Sequence, residues 1–203
     1  MTAEEREKAE RHKKRMERKK ELVDAAIIRA DEERGIVVLL TGNGKGKSSS
    51  AFGMVARALG HGQRIGIVQF IKGGDAAGEQ LFFQDHERVE YHVMGTGFTW
   101  ESRDREKDIA AAQALWCKAK EMLQDPAINL LVMDELTYMF KYDYLPWEEV
   151  RLAIENRPKE QSVVITGRAA RQELIDLADT VSEVRDIKHA FRAGLKARKG
   201  VEF

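Results

Sequence analysis

The sequence predicts a single α/β domain with a mainly parallel sheet flanked by helices, preceded by a charged helical arm. Three observations carry that expectation. Short uninterrupted apolar runs, such as residues 36–41 (IVVLLT) and 128–133 (INLLVM), read as strands covered on both faces. Between them lie segments whose apolar residues recur three and four apart. A turn rich in glycine and lysine separates the first strand from the first helix, where a βαβ series places its ligand. Such alternation selects a doubly wound sheet.

The elements follow in order. Residues 1–20 hold nine basic and five acidic side chains, with only Met1, Ala3, Ala9 and Met16 apolar. The segment is therefore expected to be a frayed helix or disordered, either a solvated tail or a nucleic-acid- or anion-binding arm. Leu22, Val23, Ala26, Ile27 and Ala30 predict a short amphipathic helix ending near Gly35. Residues 1–34 are thus read as an arm or lid, and 35–203 as the main domain. Strands are predicted over 36–41, 64–71, 89–94, 128–133, 162–166 and 180–185. Helices are predicted over 47–59, 104–123, 146–156 and 171–178, with 72–78 as a glycine-rich loop. In the helix over 104–123, Ile109, Ala112, Trp116, Ala119 and Leu123 form the apolar stripe, and Cys117 beside them is expected in the core.

Composition removes several classes. A single cysteine excludes a disulfide framework and a cysteine-based zinc site. No run approaches the length of a membrane span, and seven methionines without an export-like N-terminus suit a reducing cytoplasm. The 34 basic and 34 acidic residues cancel. The zero hides a distribution: residues 21–184 carry 19 basic against 27 acidic side chains, while residues 185–203 carry six against two. Basic ends on an acidic body suggest lids or anion contacts more than a nucleic-acid footprint.

Residues 41–48 read Thr-Gly-Asn-Gly-Lys-Gly-Lys-Ser between a buried strand and a helix. Glycines there let backbone N–H groups turn toward phosphate oxygens, and the helix start adds its positive dipole end. Lys47 supplies a point charge and the Ser48 hydroxyl a Mg²⁺ ligand. Thr41 stands where such loops usually begin with glycine. Residues 130–135 (LLVMDE) end an apolar strand in Asp134 and Glu135, suited to hold the same metal. The two motifs define a P-loop nucleotide-binding domain, and the missing Asn-Lys-x-Asp guanine reader favours ATP. In residues 95–101 (GTGFTWE), Phe98 and Trp100 either anchor the core or wall a pocket for a flat, apolar-faced ligand. A P-loop ATPase or kinase shares the phosphate site but leaves this loop unexplained. A non-catalytic nucleotide- or nucleic-acid-binding module would rest on the basic arm.

Taken with ALGHG (58–62), VQFIKG (68–73), DELTYM (134–139), YDYLP (142–146), ITGR (165–168), LADTVSE (177–183) and KHAF (188–191), the chain resembles the ATP:corrinoid adenosyltransferases. It departs in having Ser48-Ser49 where two threonines are usual. The resemblance implies a RecA-like P-loop domain. It implies transfer of the 5′-deoxyadenosyl group of ATP to the Co(I) centre of cob(I)alamin or cob(I)yrinic acid a,c-diamide, releasing tripolyphosphate. ATP would be bound by Arg34, Gly42, Asn43, Gly44, Lys45, Gly46, Lys47, Ser48 and Ser49, with Lys47 also catalytic. Mg²⁺, or Mn²⁺ in its place, would be held by Ser48 and by Glu135 in preference to its neighbour Asp134. Phe98 and Trp100 would exclude the lower axial ligand, easing reduction of four-coordinate Co(II). A flavoprotein such as flavodoxin would supply the electron. The resemblance also implies a homodimer in which a helix before the first strand covers a nucleotide site. Because residues 1–30 lack apolar anchors, they are expected to order only when substrates bind, and no nucleic-acid or membrane partner is expected. The preferred corrinoid, and synthesis as against salvage, stay open.

Overall fold

The computed structural model describes residues 2–71, 76–95 and 104–202. Its contacts divide the chain into two units, Met1–Glu33 and Arg34–Phe203.

The first unit is one helix, α1 (Ala3–Arg29). Of the two expectations for residues 1–20, helix or disorder, the structure has helix, continuous with the short one expected after it. Local interactions replace the missing apolar stripe. The Thr2 hydroxyl accepts the Glu5 N–H at 3.3 Å and the Glu5 carboxylate accepts the Thr2 N–H at 2.6 Å, a reciprocal capping box. Ion pairs four residues apart (Glu7–Arg11, Glu10–Lys14, Lys13–Glu17) lace the exposed faces, each stabilising by about 0.2–0.5 kcal/mol. The helix stops at Arg29, well before Gly35, and Leu22, Val23, Ile27 and Ile28 stay exposed.

The second unit is a six-stranded, wholly parallel sheet. Its strands are β1 (Val37–Thr41), β2 (Ile65–Gln69), β3 (Val89–Val93), β4 (Leu130–Asp134), β5 (Ser162–Thr166) and β6 (Thr180–Glu183), in the order β3-β2-β4-β5-β1-β6. The four inner strands are buried on both faces, so they read as continuous apolar runs. Alternation sends Val38, Leu40, Ile67, Val132 and Val164 to one face, against Ala51, Phe52 and Val55 of α2 (Lys47–Gly60). Leu39, Leu131, Met133, Val163 and Ile165 take the other face. There they meet Ala112, Trp116, Ala119 and Leu123 of α4 (Arg105–Gln124) and Val150 and Ile154 of α6 (Trp147–Glu155).

Three helices complete the layers: α3 (Gly78–Phe83), α5 (Thr137–Lys141) and α7 (Gln172–Leu177). The first two were not expected, because five or six residues are too few to show helical periodicity. Gly78, read as loop, begins α3. Cys117 is exposed, not in the core. At roughly 100° per residue it points away from the sheet, which its neighbours Trp116 and Ala119 face.

The lower end of β1 is fastened to β6. Asp179 accepts two hydrogen bonds from Arg34, at 2.9 and 2.5 Å, and one from the Val37 N–H at 2.8 Å, while its own N–H donates to the Val37 carbonyl. The Arg34 hydrogen bonds, helped by the Val37 N–H against partial desolvation, hold its carboxyl down at about 2. A group so depressed stabilises the fold fully above its unfolded value, and that contribution is lost as pH falls through the folded one. Asp179→Asn should therefore cost about 1 kcal/mol near neutral pH, the modest scale of a part-exposed pair. In urea melts the gap to wild type should close between about pH 4 and pH 2.

Candidate active site

The functional groups collect at the carboxyl ends of the parallel strands, where doubly wound sheets bind ligands. Thr41 ends β1, Gln69 ends β2, Asp134 ends β4 and Thr166 ends β5. Register aligns Gln69 with Asp134 and Leu40 with Thr166, so the ends are level. Above them lies a cavity of about 630 Å³, reached by the loop between β1 and α2, by Glu135 and by Arg168.

That loop is shaped by close backbone approach. Gly42 has φ 98° and Gly46, which caps α2, has φ 115°, conformations that side chains rarely adopt. A Cβ on Gly44 would lie 2.6 Å from the Arg185 carbonyl oxygen. Gly44 donates its N–H to the Val184 carbonyl at 2.7 Å, tying the loop to the chain after β6. Lys47 is 5% exposed and donates from Nζ to the Gly44 carbonyl at 2.7 Å. Burial lowers its pKa, the Arg168 cation lowers it further, and Glu135 and Asp134 oppose both. Ser48 and Ser49 line the cavity. Asn43 is exposed, and Lys45 forms an ion pair with Glu202 at 2.5 Å.

The two carboxylates differ. Asp134 is 3% exposed and spends both oxygens: Oδ2 accepts from Gln69 Nε2 at 2.9 Å, and Oδ1 accepts from the Thr166 hydroxyl at 2.6 Å. Gln69 is fixed in turn by the Tyr91 hydroxyl, which donates to its Oε1 at 2.7 Å. Thr166 also accepts the Glu135 N–H at 2.9 Å. Glu135 itself sits at φ 58°, a left-handed conformation for a side-chain-bearing residue. Its Oε2 is buried without a hydrogen-bond partner. Burial, and then the Asp134 charge, push its pKa up to about 7, against the pull of Lys47 and Arg168. An unsatisfied buried carboxylate oxygen near a serine hydroxyl fits a hard divalent cation that completes its shell with water and phosphate oxygens. Asp134 orients this arrangement; Glu135 presents the free oxygen.

Of the expected site residues the cavity unites Gly44, Lys45, Gly46, Lys47, Ser48, Ser49, Asp134 and Glu135, while Gly42 and Asn43 of the same loop do not line it. Arg34 is not among them. It lies before the amino end of β1, one strand length of about 17 Å from the loop, and is held there by Asp179. Phe98 and Trp100 lie outside the described residues. Sequence reading missed Gln69, Tyr91, Arg168 and Glu202, whose roles depend on strand neighbours far away in the chain. Gln69 and Arg168 did stand at the ends of predicted strands, the one signal that pointed to them.

Comparison with known proteins narrows the chemistry. Residues 33–203 match the family described as ATP:corrinoid adenosyltransferase BtuR/CobO/CobP. The chain belongs to this family. Residues 1–27 match a second one, Cob(I)alamin adenosyltransferase N terminal, which covers most of α1. A corrinoid adenosyltransferase of Pseudomonas aeruginosa is 56% identical over 97% of this chain and 98% of its own. Corrinoid adenosyltransferase CobA of Salmonella typhimurium is 53% identical, covering 96% and 98%. A Sinorhizobium corrinoid adenosyltransferase is 41% identical, covering 95% and 92%.

The raised Glu135 carboxyl generates a stability prediction for this adenosyltransferase. Between its unfolded value, near 4.5, and about 7, the folded state holds a proton that the unfolded state has lost. The stability of the ligand-free protein should therefore fall as pH rises across that window. Glu135→Gln should flatten the slope and leave the variant more stable than wild type at pH 8, as measured by denaturant melts.

Proposed function

We propose that this adenosyltransferase moves the 5′-deoxyadenosyl group of ATP to the Co(I) centre of a corrinoid, cob(I)alamin or cob(I)yrinic acid a,c-diamide, and releases tripolyphosphate. Family membership supports the reaction class. The observation that carries the assignment to this site is that the buried Lys47 and the unsatisfied Glu135 oxygen belong to residues lining one cavity of about 630 Å³. In the reaction the cobalt electron pair forms the Co–C5′ bond, and the C5′–O pair leaves on the triphosphate. The nucleophile belongs to the substrate, so the protein's work is alignment and stabilisation of charge on the leaving oxygens. Lys47 and the backbone N–H groups at the start of α2 bind the triphosphate. Ser48 and Glu135 would hold Mg²⁺, or Mn²⁺, which neutralises phosphate charge when bound. Gln69, held by Tyr91, and Thr166 keep both oxygens of Asp134 engaged, and Thr166 also holds the backbone from which Glu135 projects.

The corrinoid side belongs in this reading to Phe98 and Trp100, aromatic residues suited to displace a lower axial ligand and so ease reduction by a flavoprotein such as flavodoxin. We assign the exposed Leu22, Val23, Ile27 and Ile28 of α1 to contacts in a homodimer, where the arm covers a nucleotide site. Cytoplasmic placement accords with the exposed free Cys117.

A P-loop ATPase or kinase would use the same cations, and the products separate the readings. Incubation with ATP, Mg²⁺ and chemically reduced corrinoid should yield adenosylcorrinoid and tripolyphosphate in equal amounts; ADP and phosphate instead would defeat the proposal. Lys47→Ala should lower that rate by about 10²–10³-fold. Phe98→Ala and Trp100→Ala should slow reactions started from Co(II) far more than those started from Co(I), with ATP binding unchanged. Loss of ATP binding in these variants would show that the aromatics serve the nucleotide.

A further inference from the structure

Arg168 is aimed into the cavity by a backbone with unusual constraints. It follows β5, the strand lying between β1, which carries the loop, and β4, which carries Glu135. Gly167 before it has φ 150°, and a Cβ there would lie 1.9 Å from the Thr137 hydroxyl oxygen. Ala169 after it has φ 50°, a left-handed conformation that costs a non-glycine residue roughly 1 kcal/mol or more. The buried Thr137 hydroxyl donates to the Arg168 carbonyl at 2.9 Å, fixing the peptide between these two residues. Three adjoining residues are thus committed to one conformation, and its outcome is a side chain lining the cavity.

The guanidinium is the second observation. Several arginines of this unit are engaged, Arg34 by Asp179, Arg151 by Glu148 and Glu155, Arg157 by the carbonyls of Gly35, Ile154 and Gln161, and Arg171 by Glu173, but none of these lines the cavity. The Arg168 guanidinium, which does line it, makes no hydrogen bond or ion pair among the described residues. Its field nonetheless reaches Lys47, Glu135 and Tyr138. Lys47, Arg168 and Lys45, the last paired with Glu202, line one cavity with Glu79, Asp134 and Glu135, and both oxygens of Asp134 are spent on internal hydrogen bonds. A guanidinium left without a partner beside a phosphate-binding loop calls for an anion.

We propose that Arg168 is a catalytic contact to the triphosphate, reaching it from the end of β5 and stabilising the departing tripolyphosphate. The inference rests on the adenosyl-transfer reading and deepens it. As the C5′–O bond breaks, its electron pair adds one negative charge to the leaving group while cobalt passes formally from Co(I) to Co(III). No proton moves. A planar, permanently charged fork donates two parallel N–H bonds to phosphate oxygens where a lysine offers a point charge.

The test compares the full chain with Arg168→Ala and Arg168→Lys, using chemically reduced Co(I) corrinoid so that no reductase intervenes. Arg168 is exposed to the cavity, so both variants should fold. Arg168→Ala should lower kcat by about 10²-fold and raise the inhibition constant of inorganic tripolyphosphate at least about 10-fold, with a smaller change in the KM for ATP. Arg168→Lys should recover much of the tripolyphosphate binding and less of kcat. An alanine variant inhibited by tripolyphosphate within about twofold of wild type would overturn the assignment. So would weakened inhibition with kcat intact, which would leave Arg168 as ground-state binding alone. A wild type that makes no tripolyphosphate defeats the adenosyl-transfer reading itself. A wild type that makes it beside an indifferent alanine variant defeats only the role of Arg168.

Discussion

The buried carboxylate of Asp134 is the constraint on which the site's geometry depends. Its two oxygens accept hydrogen bonds from side chains on β2 and β5, the strands on either side of β4. A carboxylate this deeply buried is tolerated only when it is hydrogen-bonded, so Gln69 and Thr166 cannot easily be replaced by apolar residues of similar size. The bonds also lock the carboxyl ends of three strands level with one another. Tyr91 extends the chain of donors to β3. Glu135 inherits its orientation from this network, since its N–H is held by the same Thr166 hydroxyl that contacts Asp134. The division of labour between adjacent acids follows: one is satisfied and structural, the other buried and unsatisfied.

The loop after β1 obeys a second constraint, the closeness of the chain leaving β6. Gly42 and Gly44 touch the backbone of Val184 and Arg185 so closely that any Cβ would collide. The glycines therefore serve two surfaces at once, a cavity on one side and a packed backbone on the other. This explains why the segment after β6 belongs to the site although it carries no recognisable nucleotide motif. It also brings Glu202 to Lys45, so the chain's basic end contributes an acid to the phosphate loop.

Much of this was legible in the sequence because its signals are local. Residues 36–41 and 128–133 announce two-sided burial by their unbroken apolar character, and the loop motif needs only its flanking strand and helix to be recognised. What stayed hidden depends on distant partners. Nothing near Arg34 shows that Asp179 holds it at the far edge of the sheet from the loop. The hydrogen bonds that spend both oxygens of Asp134 come from residues 65 and 32 positions away. For α1 the sequence left helix and disorder both open: charge composition suggests disorder, while the order of the charges, acid before base at a spacing of four in Glu7–Arg11 and Glu10–Lys14, favours a helix.

The charge balance acquires a local meaning from the same geometry. An acidic body repels a polyanion at long range, and salt screens that repulsion beyond roughly 8 Å. At the cavity four carboxylates stand with three cations, of which Lys47 is buried and Lys45 and Arg168 are exposed. Their states differ: Lys45 is neutralised by Glu202, Lys47 rests on the Gly44 carbonyl, and Arg168 holds no partner among the described residues. A triphosphate entering here would take up Arg168 without cost, exchange a carbonyl for phosphate at Lys47, and compete with a carboxylate at Lys45. The order of those contacts, easiest first, begins at the end of β5, the strand between the one that carries the loop and the one that carries Glu135.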